Sequence, residues 1–252
     1  MKKLYFLFVF LQTLPFLILA YEYDPRSFAT DQSYQTPLVT DINNDQSPDL
    51  IICNSTTKEI EIWEFIDNSL TRTDAITGFA YKAHNIACGD FDKDGDIDIV
   101  STHRSNGLFV SFNEENGWNT QQIDGTYGWQ VIVEDFNNDG NLDIFDGVDW
   151  GYAHLFYGDG NGNFSSGPVP ELDGYSNGHI KCLNPIKLNN DERIDLIGIT
   201  SEWNAGGTND SFLRVFLNNE NSSTEEIEWS SSIGPTASYA YYPEFMTSSS
   251  NS

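Results

Sequence analysis

The feature that most constrains this chain is one acidic stretch, DFDKDGDIDIV, running from Asp90 to Val100. It sets carboxylates at its first, third, fifth and ninth positions (Asp90, Asp92, Asp94, Asp98) and a glycine, Gly95, at its sixth. Acidic side chains this close repel one another in a compact loop unless a cation sits among them. Calcium suits such a set, because it takes roughly six to eight oxygen ligands from carboxylates, carbonyls and water in flexible geometry. Alternation turns the first, third and fifth side chains toward one ion, and Gly95 permits the sharp turn. The carbonyl of Asp96 then supplies a seventh-position ligand, and Asp98 completes the shell. A lone copy would read as a solvated acidic turn.

The stretch is repeated. DFNNDGNLDIF offers Asp135, Asn137, Asp139 and Asp143, with Gly140 at the turn and the Asn141 carbonyl at position seven. DINNDQSPDLI offers Asp41, Asn43, Asp45 and Asp49, with the Ser47 carbonyl, but Gln46 stands where the glycine should be and strains the turn. A fourth copy, KLNNDERIDLI, keeps Asn189, Asp191 and Asp195 and carries Lys187 in the first ligand position. That lysine removes an oxygen and adds a cation, so its ammonium is expected to bridge Asp191 and Asp195 in place of an ion. The copies begin at residues 41, 90, 135 and 187.

An EF-hand needs a glutamate at loop position 12 and flanking helices; Ser101 and Asp146 stand at that position, amid β-branched and aromatic residues. Nonapeptide calcium repeats are much shorter than these. A period of this size with several short strands per unit matches a four-stranded propeller blade. The calcium loops resemble those of the FG-GAP/VCBS-like repeat family, the calcium-loop propellers to which integrin α-subunit heads belong. The resemblance covers about residues 36–230 and implies an all-β, propeller-like array of about four four-stranded blades, with a calcium loop between the first and second strands of each.

The strand pattern agrees. Ile60 and Ile62 alternate with Glu59 and Glu61, the two-residue period of a half-buried strand. Strands are predicted over 85–89, 97–102, 108–112 and 119–123 in the second unit, and 129–133, 142–145, 154–157 and 164–169 in the third. The fourth gives 180–186, 194–200, 212–217 and 225–229. GDGNGNFSSG mimics a calcium loop at Asp159, Asn161 and Asn163 but has Gly167 in place of the ninth-position carboxylate, so it reads as a turn.

Residues 1–20 read as a secretory signal: Lys2 and Lys3, an apolar run from Leu4 to Leu19, and Pro15 before a cleavage point after Ala20. Residues 21–35 are a lead-in, or a strand that closes a ring on the last blade, and 231–252 are a low-complexity tail or an incomplete fifth blade. No later stretch is long and apolar enough to span a bilayer, so the product is expected to be secreted and extracellular. Sequons at Asn54, Asn163, Asn209 and Asn221 fit that compartment. Cys53, Cys88 and Cys182 allow at most one internal disulfide. A net charge of −26 disfavours nucleic acid and anionic membranes as partners.

Little in the chain speaks for catalysis. His84, His103, His154 and His179 lie near no nucleophile motif, and no GxSxG, HExxH or phosphate-cradling loop occurs. Trp63, Trp118, Trp129 and Trp229 read as packing residues, whereas Trp150 and Trp203 lie in polar connections where an aromatic ring can stack on a sugar or anchor a partner, or else cover a blade edge. The expected protein is a non-enzymatic calcium-binding module for extracellular protein binding or adhesion. The alternatives are a lectin-like propeller using Trp150 and Trp203, and, with few basic residues to serve it, a polysaccharide lyase. An open array of blades would favour self-association.

Overall fold

The structure is a computed structural model that describes residues 5–7, 18–20, 34–67, 69–103, 106–126, 128–148, 153–168, 178–189, 191–203, 209–220 and 227–237. The chain divides into two units, residues 1–31 and 32–252. In the first, β1 (Tyr5–Leu7) pairs antiparallel with β2 (Ile18–Ala20), inside the apolar run read as a secretory signal.

The second unit is built of four antiparallel sheets, each of four strands in chain order. The first blade holds β3 (Tyr34–Thr40), β4 (Asp49–Asn54), β5 (Ile60–Ile66) and β6 (Ser69–Ile76), and the second holds β7 (Ala83–Gly89), β8 (Asp98–His103), β9 (Gly107–Glu114) and β10 (Gly117–Asp124). The third holds β11 (Gly128–Glu134), β12 (Asp143–Val148), β13 (Ala153–Gly158) and β14 (Phe164–Gly167). The fourth holds β15 (Gly178–Ile186), β16 (Asp195–Trp203), β17 (Asn209–Glu220) and β18 (Ile227–Ala237). Among the described residues there is no helix, and so none able to cross a membrane. The fold is all-β and propeller-like, and the ring is not closed by hydrogen bonds.

One boundary differs from expectation. Residues 21–33 lie outside the described residues, and from Tyr34 the chain enters β3, which pairs with β4 of its own blade. The supposed tail supplies residues 231–237 to β18, where Ser231 faces Phe216 and Ala237 faces Ser211 across the ladder. A serine-rich segment scores poorly as a strand by itself, but an edge strand needs only backbone groups to pair.

Strand alternation gives every blade a leading face, toward the preceding blade, and a trailing face, toward the next. Ile42, Ile51, Ile60 and Ile62 of the first blade pack against Ile86 and Ile99 of the second. Phe91, Val100, Leu108 and Val110 of the second meet Ile144 and Phe156 of the third. Phe136, Phe145 and Leu155 of the third meet Leu183, Leu196 and Phe216 of the fourth. The core is therefore a series of three joints, and every acidic loop connects the first and second strands of its blade.

Candidate metal centre

Left-handed backbone makes the loops. The fourth position has positive φ in the first three copies (Asn44 58°, Lys93 60°, Asn138 58°). So does the sixth in all four: Gln46 70°, Gly95 97°, Gly140 84° and Glu192 66°. The turn is thus kept at Gln46 and Glu192 without glycine, against the steric resistance of a side chain.

This winding points backbone N–H groups at the carboxylates. Asp41 accepts from Asp45 N (3.0 Å) and Gln46 N (2.8 Å), and Asp135 accepts from Asp139 N (3.1 Å) and Gly140 N (2.8 Å). In the second loop Asp90 Oδ2 accepts from Gly95 N at 3.2 Å, while Asp90 Oδ1 is enclosed and has no donor. Carboxylate oxygens of Asp90, Asp92 and Asp98 lie within 4.8 Å of one another. An enclosed anionic oxygen beside two further carboxylates is costly without a cation, so this donor set fits a hard divalent ion. Asp94 stands outside that trio, its Oδ1 accepting from Asp96 N at 2.9 Å. Asp96 turns its side chain to Asn44 Nδ2 of the first loop (3.3 Å), as the Gly95 carbonyl also does (3.2 Å). Ser47 N and Asn141 N donate to Asp45 Oδ1 (2.7 Å) and Asp139 Oδ1 (2.8 Å) in the same way.

The ninth-position aspartates do more than the sequence reading assigned them. Asp49, Asp98, Asp143 and Asp195 are all buried. One oxygen of each accepts the N–H of the second loop residue: Ile42 (3.0 Å), Phe91 (2.9 Å), Phe136 (2.8 Å) and Leu188 (2.9 Å). In the last three the other oxygen accepts an N–H from the third strand: Asn113 (2.9 Å), Gly158 (3.0 Å) and Asn218 (2.9 Å). Each carboxylate staples its loop to its blade. Burial raises the pKa of Asp98 to about 6 and that of Asp143 to about 7. The legible signal for this role is the apolar residue at loop position two, which carries the stapled N–H in every copy.

Residues 41–101 and 90–145 match the FG-GAP-like repeat. Residues 41–145 are FG-GAP-like repeats. No curated protein matches the sequence. Among solved structures, the chain is similar to BBS1N, crystallised in complex with ARL6DN and soaked with lead, at 13% identity and a TM-score of 0.46, over 79% of this chain and 57% of that one. It is also similar to Sqt1 of Saccharomyces cerevisiae, at 10% identity and a TM-score of 0.44, over 86% of this chain and 66% of that one.

The loop of the fourth blade departs from the FG-GAP-like pattern differently from expectation. Lys187 Nζ pairs with Glu192 Oε2 at 3.0 Å instead of bridging Asp191 and Asp195. Asp191 is taken by Asn189 Nδ2 (2.7 Å) and Arg193 N (3.0 Å), and Asp195 by the two backbone groups above, so neither carboxylate is left facing the ammonium. The mimic at Asp159 is a turn between β13 and β14, closed by Asn161 N and Asn163 N on Asp159 Oδ1 (2.8 and 3.1 Å). The Asn163 side chain, and then these bonds, hold the Asp159 carboxyl below its ordinary value.

Other expected sites scatter. Asn54 is buried, its Nδ2 donating to Glu61 (2.8 Å) and its Oδ1 capping the turn at Thr56 N (2.9 Å), so the folded chain withholds that nitrogen from a glycan. Asn163 is exposed. Asn209 lies on β17, its side chain outside the described residues, as are Asn221 and Trp150 entirely. Trp203 ends β16 opposite Asn209, its side chain likewise undescribed. All three cysteines are free. His103 is buried between Ser101 Oγ (3.0 Å) and the Tyr81 carbonyl (2.8 Å), with its pKa lowered to about 4 by burial, and His84 stacks on Trp129 at 5.0 Å.

Proposed function

We infer that this propeller-like module is exported, loads calcium in its first three acidic loops, and works by binding other proteins outside the cell. The observation that carries the calcium reading is the second loop, where Asp90 Oδ1 is enclosed without a donor beside Asp92 and Asp98. Asp90, Asp92 and Asp98 would hold the ion there, with Asp94 and the Asp96 carbonyl as further oxygens of the same turn. Asp41, Asn43, Asp45, the Ser47 carbonyl and Asp49 are the counterparts in the first loop, and Asp135, Asn137, Asp139, the Asn141 carbonyl and Asp143 in the third. A bound divalent cation supplies the positive charge that these turns lack. The chain's own part is structural: the Asp98 and Asp143 staples lock the second and third loops to the third strands of their blades, so ordering either loop orders its blade. That rigidity suits a binding scaffold, and the acidic surface suits partners other than nucleic acid.

Calorimetric titration of the full chain with calcium tests the reading. Two or three sites are expected; Asp90→Ala should remove one, and Asp159→Ala, in the mimic turn, none. A parent protein that takes up no calcium, or equal losses in the two variants, would end the assignment. Export is checked separately: protein collected from the medium of expressing cells should begin at Tyr21.

A further inference from the structure

The three joints inside the chain are built alike. At each, the second residue of the acidic loop is driven into the next blade: Ile42, Phe91 and Phe136 are 4%, 2% and 0% exposed. Its carbonyl is also gripped by that next blade, Ile42 by Asn113 Nδ2 (3.4 Å), Phe91 by Gly162 N (3.4 Å) and Phe136 by Asn218 Nδ2 (2.8 Å). The start of the third strand adds a second buried contact, Leu108 in the second blade and Ala153 in the third. A trailing face is thus a repeated device for receiving a leading face.

The fourth blade carries the same positions, and among the described residues they are exposed. Its loop residue Leu188 is 42% exposed, and Leu213, which faces Ile199 as Leu108 faces Thr102, is also 42% exposed. Ile186 beside them is exposed as well. At the other end, the leading face of the first blade is partly exposed. Leu50 and Trp63 are only half-buried where Ile144 and Phe156 of the third blade are buried, and Val39 and Phe65 are 64% and 63% exposed.

We propose that the trailing face of the fourth blade receives the leading face of the first blade of a second copy of this chain, joining copies head to tail. The occupant follows from continuity with the joints already made. Each internal trailing face takes a leading face, and among the described residues every copy exposes apolar side chains on one further face of each kind. The contact is heterologous, so two copies joined at both ends close into a ring of blades. Net charge opposes the association, since each chain carries −26, and raising salt should therefore strengthen it. The joint does not depend on the metal reading, because its contacts are apolar side chains.

Light scattering after size exclusion, on the full chain, reads the outcome. The parent should run at no less than twice the monomer mass. Leu213→Glu spoils the trailing face and Phe65→Glu the leading face, both at exposed positions, and each variant alone should be monomeric with an unchanged circular dichroism spectrum. An equimolar mixture should recover a dimer, because one variant keeps an intact leading face and the other an intact trailing face. Leu188→Asp serves in place of Leu213→Glu should that variant misfold. A monomeric parent, a variant that still associates alone, or a mixture that stays monomeric would each overturn the proposal. A variant that still associates alone would point to a face pairing with its own kind.

Discussion

At the residue scale, the loop carboxylates divide by what holds them. Asp98 is buried and accepts two backbone N–H groups, whereas the Asp92 carboxylate meets only Asp94 N at 3.3 Å. Removing an acceptor from two buried donors costs roughly 1–3 kcal/mol for each, while a half-buried carboxylate that accepts one long bond costs about 1 kcal/mol or less. Asp98→Ala is therefore expected to lower stability by roughly 2–6 kcal/mol in urea melts run in EGTA, and Asp92→Ala to lower it by much less. Equal effects would mean that Asp98 acts only through a metal. Asp146, on β12, is a different case: it is fully enclosed, and neither oxygen has a hydrogen-bond partner. Burial raises its pKa to about 8, and the Asp124 carboxylate pushes the same way. The unfolded value lies near 3.9. The folded form thus keeps a proton that the unfolded chain has lost, and stability falls as pH climbs from about 4 to about 8. Asp146→Asn removes that dependence. The variant should match the parent near pH 4 and exceed it by several kcal/mol at pH 8, and parallel pH curves would refute the account.

At the element scale, the loops show which part of the repeat tolerates change. A residue other than glycine in left-handed backbone costs roughly 1–2 kcal/mol, offset in part by glycine's greater freedom in the unfolded chain. Gln46 sits at φ 70°, so Gln46→Gly is expected to stabilise by about 0.5–1 kcal/mol and to tighten calcium in the first loop. Gly95→Ala should do the reverse by about 1–2 kcal/mol. A Cβ there meets nothing within 4 Å, so the whole cost is conformational. Calorimetry on both variants checks the pair, and a neutral Gly95→Ala would show that the backbone relaxes. Lys187 belongs to the same scale. Its partner is Glu192, three positions short of the ninth-position aspartate, because Asp195 already spends its oxygens on Leu188 N and Asn218 N.

At the scale of the whole molecule, stability depends on three serial joints rather than one central core. If each loop binds with a dissociation constant near 10⁻⁴ M and calcium is near 10⁻³ M, each site contributes about 1.4 kcal/mol. Three sites give about 4 kcal/mol, against a typical total of about 5–15. For a domain of this size each kcal/mol moves the melting temperature by about 2–4 °C, so EGTA should lower it by roughly 8–16 °C. Calcium should reverse the shift, and magnesium only poorly, since it demands strict octahedral geometry. A melting curve indifferent to EGTA, on protein first shown to hold calcium, would reduce the ions to decoration.

Local chemistry was legible before any coordinates. Repeated carboxylates at fixed spacing, glycine or its replacement at the turn, and β-branched alternation locate the loops and most strands to within a few residues, because each depends on neighbours a few positions away. The double duty of Asp98 and Asp143 was not legible: their second donors, Asn113 and Gly158, stand on the third strand and reach them only once the blade has folded. The same holds for Asn54, whose sequon says nothing of the Glu61 side chain that takes its amide. The later part of β18, from residue 230 to 237, was hidden in a serine-rich segment, because backbone pairing with β17 asks little of its side chains. Whether the blades close could not be read from repeats at all. Leu188 and Phe136 fill the same place in the pattern, yet Phe136 is buried against the fourth blade and Leu188 is 42% exposed, a difference that only the tertiary arrangement decides.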